Sequence, residues 1–273
     1  MPELPEVETT CRGIRPHVEG LKVSQVVVRN SRLRWPVDAG LETYLKGAAL
    51  LRVTRRAKYL LLQFESGVLL VHLGMSGSLR VVEPTAAPGK HDHIDLVFAG
   101  GVALRYNDPR RFGAFVWHAE ASSVAMHALL AHLGPEPLGD DFSGDYLYRV
   151  SRNKKLALKS FIMDAKVVVG VGNIYANEAL FAAQLHPLKE ASKLTRPKAA
   201  RLVAEIKAVL AHAIARGGTT LRDFVGGDGK PGYFAQELNV YGHGGKPCRA
   251  CGKALTEKRL QNRTTVYCCA CQK

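Results

Sequence analysis

The sequence predicts an α+β protein of several domains, and three observations carry that reading. Its first 120 or so residues break into short β-branched or apolar runs, and the pattern then turns helical. Five of the six cysteines fall in the last 26 residues. The expected order is a β domain, a helical domain and a metal module.

Taken from the start, PEVETTCRGIRPHVEG reads as a helix. Pro5 suits its first turn, and Glu6 and Glu8 suit the positive end of its dipole. Val7, Cys11 and Ile14 share one face at i, i+4 and i+7. The runs VSQVVVRN, LLRVTR, KYLLLQFE, GVLLVHLG, GSLRVVE, HIDLVFA, VALRYND and GAFVWH follow, separated by Gly, Asn, Asp or Pro. Their spacing suits a sandwich or a barrel. LGPEPLGDDFSGD reads as a linker. Beyond it KLALKSFIMD, YANEALFAAQLHP and RPKAARLVAEIKAVLAHAIARGG read as helices, the last ending in a Gly pair. GGDGKPGYF is a Gly-rich loop, and short strands carry the terminal cysteines. The expected boundaries are 2–130 for the β domain, 131–150 for the linker, 151–236 for the helical domain and 237–273 for the metal module.

A net charge of +14 favours a polyanionic partner, although a basic enzyme without one fits the same number. No apolar run reaches the length of a membrane helix, and no basic-then-apolar leader opens the chain, so the expected compartment is the cytoplasm.

Cys248-x2-Cys251 followed by Cys268-x2-Cys271 has the spacing of four thiolates around a tetrahedral zinc, with two disulfides or free thiols as the alternative. Such a zinc is structural, because protein fills every position, and Cys269 is spare. Between the knuckles a metal-pinned hairpin would present Arg263. In VVVGVGNIYANEALF the glycines are half of a dinucleotide fingerprint, with Tyr175 where the third is needed. The better reading is a turn at a helix N-terminus, where backbone N–H groups and Asn173 grip a phosphate. RYNDPRRFG exposes arginines and Phe112 after a strand, either as a solvated turn with a core phenylalanine or as a wedge into a base stack. Met75, between glycines in HLGMSGS, reads as a core residue. His91 and His93 would share a strand face, but no third metal ligand is near. Contact with phosphate, or ordering of a loop, is the better reading. Arg55, Arg56 and Lys58 read as a solvated basic edge.

Proline at position 2 permits removal of Met1, leaving a secondary amine. An α-amino group has a pKa of about 7.7–8.0, well below that of lysine, so more of it is unprotonated at neutral pH. Such an amine can attack an aldehyde-like carbon and form an iminium, with Glu3 placed to move the proton.

Together PELPEVET, RRAKYLLL, HLGMSGSLR, KHDHID, RYNDPRRFG, HLGPEPL, VVGVGNIYANEALF, GGTTLRDF, DGKPGYFAQELNVYG and the four-cysteine finger resemble the bacterial formamidopyrimidine-DNA glycosylases. PELPE favours this branch over the endonuclease VIII-like one. The resemblance implies an N-terminal β-sandwich flanked by helices, a C-terminal helical domain with a helix-two-turn-helix motif, and a terminal zinc-ribbon hairpin. It implies that Pro2 is the nucleophile, that Glu3 is a general acid on the sugar, and that Lys58 contacts phosphate and assists β-elimination. Arg263 would grip phosphate and serve δ-elimination. Asn173, His91, Arg110 and Lys154 would contact DNA. Base flipping is general to such enzymes, so Met75, Arg110 and Phe112 would fill the vacated stack, which replaces the core reading of Met75. The loop from Thr219 to Tyr233 would close over the flipped base. The implied protein is a monomer acting on double-stranded DNA with oxidised purines, holding one structural Zn2+ and no organic cofactor. The alternatives are endonuclease VIII-like action on oxidised pyrimidines and a non-catalytic zinc-ribbon protein that binds damaged DNA. Thr264, Cys269 and Cys11 depart from the family pattern without removing a group that the chemistry needs.

Overall fold

A computed structural model describes residues 2–125, 127–218 and 237–273. Its described residues fall into two compact units. One runs to Ala131 and takes in 216–218; the other comprises His132–Ala215 and 237–273.

In the first unit, helix α1 (Leu4–Val18) precedes strand β1 (Val23–Val28) and a short helix α2 (Leu41–Leu45). Strands β2 (Leu50–Arg56), β3 (Tyr59–Phe64), β4 (Gly67–His72), β5 (Ser78–Val82), β6 (Asp92–Phe98), β7 (Val102–Asn107) and β8 (Ala114–His118) follow, then a turn of helix α3 (Ala121–Val124). All eight expected strands form. They make two antiparallel four-stranded sheets, ordered β1-β6-β7-β5 and β2-β3-β4-β8. Alternation along β3 turns Leu60, Leu62 and Phe64 inward, whereas β4, between β3 and β8, is buried on both faces. Val7, Cys11 and Ile14 of α1 join the residues of both sheets in one core, as their spacing predicts. This is a β-sandwich with a helix laid against it.

In the second unit, α4 (Gly144–Ser151), α5 (Leu158–Ile162), α6 (Asn173–Ala182) and α7 (Arg196–Ala215) precede a hairpin of β9 (Thr256–Leu260) and β10 (Arg263–Tyr267). The stretch read as a linker, 131–150, carries most of α4. Ser143 caps that helix by accepting from the Tyr146 N–H at 3.1 Å, and Leu147 is buried in the helical core. Gly and Asp crowd the approach to the cap, so composition hid a short helix. The terminal module is docked on the helices. Its own buried cluster is only Val240, Cys248, Leu255, Val266 and Cys268, and Phe181 of α6 packs against it. Such a module needs a metal or a neighbour to fold. No helix among the described residues is long and apolar enough to cross a membrane.

Candidate functional site

Pro2 and Glu3 are buried at the start of α1, where the chain is extended at Glu3 and then turns helical. The Glu6 carboxylate reaches back and accepts from the Glu3 N–H at 2.8 Å, so the backbone that carries Pro2 is held by the helix it opens. Gly218, at φ +80°, returns the chain to this point: a Cβ there would lie 3.2 Å from Glu6 Oε1. The loop from Thr219 to Tyr233, like Met1, lies outside the described residues.

Lys58 stands in the two-residue turn between β2 and β3, where Arg56 pairs with Tyr59. Its neighbour Ala57 has φ +55°, a left-handed conformation that costs a non-glycine residue about 1–2 kcal/mol. Arg55 holds the turn in place. Its Nη1 donates to Ala57 O and its Nε to the Glu8 carboxylate, both at 2.8 Å. Burial opposes ionisation of Glu8, but the hydrogen bonds and charges of Arg55 and Arg12 outweigh it and lower the pKa. Arg55, expected on a solvated edge, instead ties the Lys58 turn to α1.

A second set of side chains is gathered by Asp108. Its carboxylate accepts from Tyr106 Oη and the Gly113 N–H, both at 2.9 Å, and from the Arg110 N–H at 3.3 Å. This folds RYNDPRRFG back on itself with Arg111 at φ +57°. Arg110 and Phe112 are left in solvent, the guanidinium 4.8 Å from the ring centre. The HLGMSGS turn comes close to the same loop, since a Cβ on Gly74 would lie 2.7 Å from the Gly113 nitrogen. Met75 and Phe112 are each 40% exposed, so neither is a core residue. His72 fixes the Met75 turn, its Nδ1 accepting from the Gly74 N–H at 3.2 Å. Burial, with the Lys58 charge adding to it, pushes the His72 pKa down to about 4, so the ring is neutral and able to accept.

His93 is buried with Nε2 2.9 Å from Asp108 O, which ties this strand to the same loop. Half-buried His91 accepts from the Asp108 N–H through its carbonyl at 3.0 Å. Among the described residues the only group of three or more His, Cys, Asp or Glu suited to a metal is Cys248, Cys251, Cys268 and Cys271.

Those four sulfurs lie within 4.8 Å of one another. Burial raises the pKa of Cys268, but the backbone N–H groups of Cys271 and Ala270 outweigh it and bring the thiol to about 7. The hydrogen bond with Cys251, then burial, pushes Cys271 up to about 12. So crowded a set of thiols becomes four thiolates only around a cation, and the cluster fits a tetrahedral metal. Cys269 turns away, its sulfur 3.1 Å from Thr256 Oγ1.

Asn173 opens α6, and its Oδ1 is buried with no hydrogen-bond partner among the described residues. An acceptor left in that state awaits a donor. Lys154 is exposed just after α4, with Asn153 at φ +62°. Arg263 is exposed at the start of β10, after a turn of Gln261 and Asn262 at φ +48° and +61°. Sequence reasoning missed the buried polar residues that anchor the terminal module to the helices. Glu178, 3% exposed, accepts from the N–H groups of Asn239, Val240 and Tyr241 at 2.8–2.9 Å. Gln272 accepts from the Cys268 N–H and donates to Leu185 O, both at 2.9 Å. The signal for Asn177 and Glu178 is a pair of polar residues in the middle of a largely apolar helix.

A sandwich unit that begins on a buried proline and acid, followed in the chain by a helical unit with a docked four-cysteine hairpin, is the architecture of a DNA glycosylase of the helix-two-turn-helix class. Residues 1–115 match the formamidopyrimidine-DNA glycosylase N-terminal domain, and residues 133–225 match the formamidopyrimidine-DNA glycosylase H2TH domain. The chain is 65% identical to the formamidopyrimidine-DNA glycosylase of Teredinibacter turnerae and 60% to that of Saccharophagus degradans, each over the full length of both chains. The chain belongs to the formamidopyrimidine-DNA glycosylase family. Among solved structures it is similar to the MutM (Fpg) protein of Thermus thermophilus, at 40% identity and a TM-score of 0.88 over 99% of this chain and 98% of that one. It also resembles Lactococcus lactis Fpg (MutM) bound to a DNA containing N7-benzyl-Fapy-dG, at 32% identity and a TM-score of 0.92 over all of both chains.

Proposed function

We propose that the protein excises oxidised purines from duplex DNA in the bacterial cytoplasm and then nicks the strand, with Pro2 as nucleophile once Met1 has been removed. The observation that carries the reading is the buried Pro2–Glu3 start of α1 in a member of this family. The Pro2 nitrogen attacks the sugar C1′ and gives up its proton to the departing base, which leaves with the electron pair of its glycosidic bond. Glu3 gives a proton to the ring oxygen, the ring opens, and the nitrogen lone pair forms the iminium. Loss of the C2′ proton then breaks the C3′–O bond with departure of the 3′ phosphate, assisted by Lys58. Loss of the C4′ proton then breaks the C5′–O bond with departure of the 5′ phosphate, served by Arg263, and water hydrolyses the iminium to free Pro2.

Met75, Arg110 and Phe112 fill the gap left by the everted base. Asn173, donating through its side-chain amide, and His91, Lys154 and Arg110 hold the backbone. Zn2+ suits the four cysteines and stabilises the hairpin by tying its ends, without taking part in the reaction.

Borohydride tests the reading by reducing the iminium to a stable protein–DNA adduct on an 8-oxoguanine duplex. The expected adduct falls by about a hundredfold or more in Pro2→Gly, in N-terminally acetylated protein and in Glu3→Gln. An undiminished adduct after both N-terminal changes removes Pro2 from the chemistry. Because Lactococcus lactis Fpg has also been solved with DNA containing an oxidised pyrimidine, the same assay should include one; faster cleavage of it would favour endonuclease VIII-like specificity. Binding without cleavage of any lesion would leave a damaged-DNA-binding protein.

A further inference from the structure

We propose that Lys159, acting with Asn177, is a positioning residue that sets the direction of Arg263. The inference rests on the assignment of Arg263 to the second elimination. Lys159 lies on α5 and is 1% exposed. Its Nζ donates to Thr264 O at 2.7 Å and to the buried Thr265 Oγ1 at 2.8 Å, gripping the two residues that follow Arg263. Asn177, on α6, joins from the other side. Its Oδ1 accepts from the Val266 N–H at 2.8 Å, and its Nδ2 donates to Asn173 O at 2.6 Å and, more weakly, to Thr264 O at 3.5 Å. The strand carrying Arg263 is thereby bonded to the residue at the head of α6 whose side-chain acceptor is unused.

Desolvation makes an ammonium a costly way to fill a core position, and an apolar side chain would cost less. What the lysine adds is direction, because its donors fit only one register of β10. The four cysteines cannot supply this. They pin the base of a two-stranded hairpin, and such hairpins are marginal alone. Arg263 lies at the other end of β10, about 16 Å of extended chain from Cys268. A cavity of about 300 Å³, lined by Lys159, Ser160, Met163, Asp164, Leu260 and Arg263, adjoins the tip, so packing alone does not confine the arginine.

The test uses full-length zinc-loaded protein and a duplex with a preformed abasic site, in single turnover. It compares the β- and β,δ-elimination products, the borohydride adduct and bound zinc. Lys159→Met is expected to lower the β,δ fraction about tenfold, while adduct and zinc stay at wild-type levels. Arg263→Gln should shift the products alike, and the double variant should be no worse than Arg263→Gln alone. Lys159→Arg should restore part of the fraction. Thr265→Val, which removes one acceptor and keeps the volume, should shift it the same way by about threefold and decides the matter if Lys159→Met does not fold. Unchanged partition in folded Lys159→Met or in Thr265→Val, or parallel loss of adduct, zinc and both products in Thr265→Val, overturns the positioning role alone. Unchanged partition in Arg263→Gln overturns the assignment of Arg263 and this inference with it.

Discussion

His72 is where chemistry at a single residue governs the candidate wedge. Its Nδ1 must be unprotonated to accept from Gly74, and burial beside Lys58 holds its pKa near 4, below the usual 6.5. A depressed histidine pKa means that the unfolded chain binds the extra proton first. The stability gained is therefore complete above pH 6.5 or so and is lost as pH falls toward 4, by at most about 3 kcal/mol. Urea unfolding between pH 7 and pH 4 should show this loss, and His72→Asn should flatten it. Gly113 is a second such residue. A Cβ there would lie 1.7 Å from Tyr106 Oη and 2.5 Å from His72 O. Gly113→Ala should cost about 2 kcal/mol or more in urea unfolding and weaken binding to lesion duplex, since Asp108 can no longer close the loop. The glycines around Met75 and Phe112 are legible in the sequence, but the clash that requires Gly113 comes from a residue on another strand.

At the scale of elements, the hairpin β9–β10 depends on two anchors that differ in kind. The four cysteines close its base, while Lys159 and Asn177 hold its tip against α5 and α6. Stripping the metal proposed for this site with a chelator, or making Cys248→Ser, should release the hairpin, abolish the one zinc expected by native mass spectrometry, and weaken DNA binding by about tenfold or more. A protein that lost its zinc and bound DNA as before would make the hairpin dispensable. Spacing alone assigned the knuckles and set Cys269 aside, because metal coordination imposes local geometry. Docking was not legible: Lys159 lies 105 residues before Thr264, and no periodicity relates them. Helix α4 was missed for the opposite reason, its cap and turn residues being those of a loop.

For the whole molecule, the excess of basic residues predicts that affinity for duplex DNA falls steeply with salt. If about five of the proposed contacts neutralise phosphates, the slope of log K against log salt should be about −4.5, measurable by fluorescence anisotropy between roughly 50 and 300 mM salt. A flat response would exclude a phosphate-dominated interface. The eight strands, the long helices, the metal ligands and the family were all legible from the chain, because each depends on neighbours close in sequence: a repeat of two, a repeat of 3.6, a knuckle of four residues, or motifs in a fixed order. Other properties arose only on folding, when distant segments met. Arg55 ceased to be a solvated edge on meeting Glu8, and Met75 was left exposed where the Gly74 turn meets Gly113. Sequence alone determined which chemical groups this protein carries and in what elements. Only the tertiary structure decided which of them are held, buried or exposed, because hydrogen bonding and desolvation depend on what lies within a few ångströms rather than on what lies next along the chain.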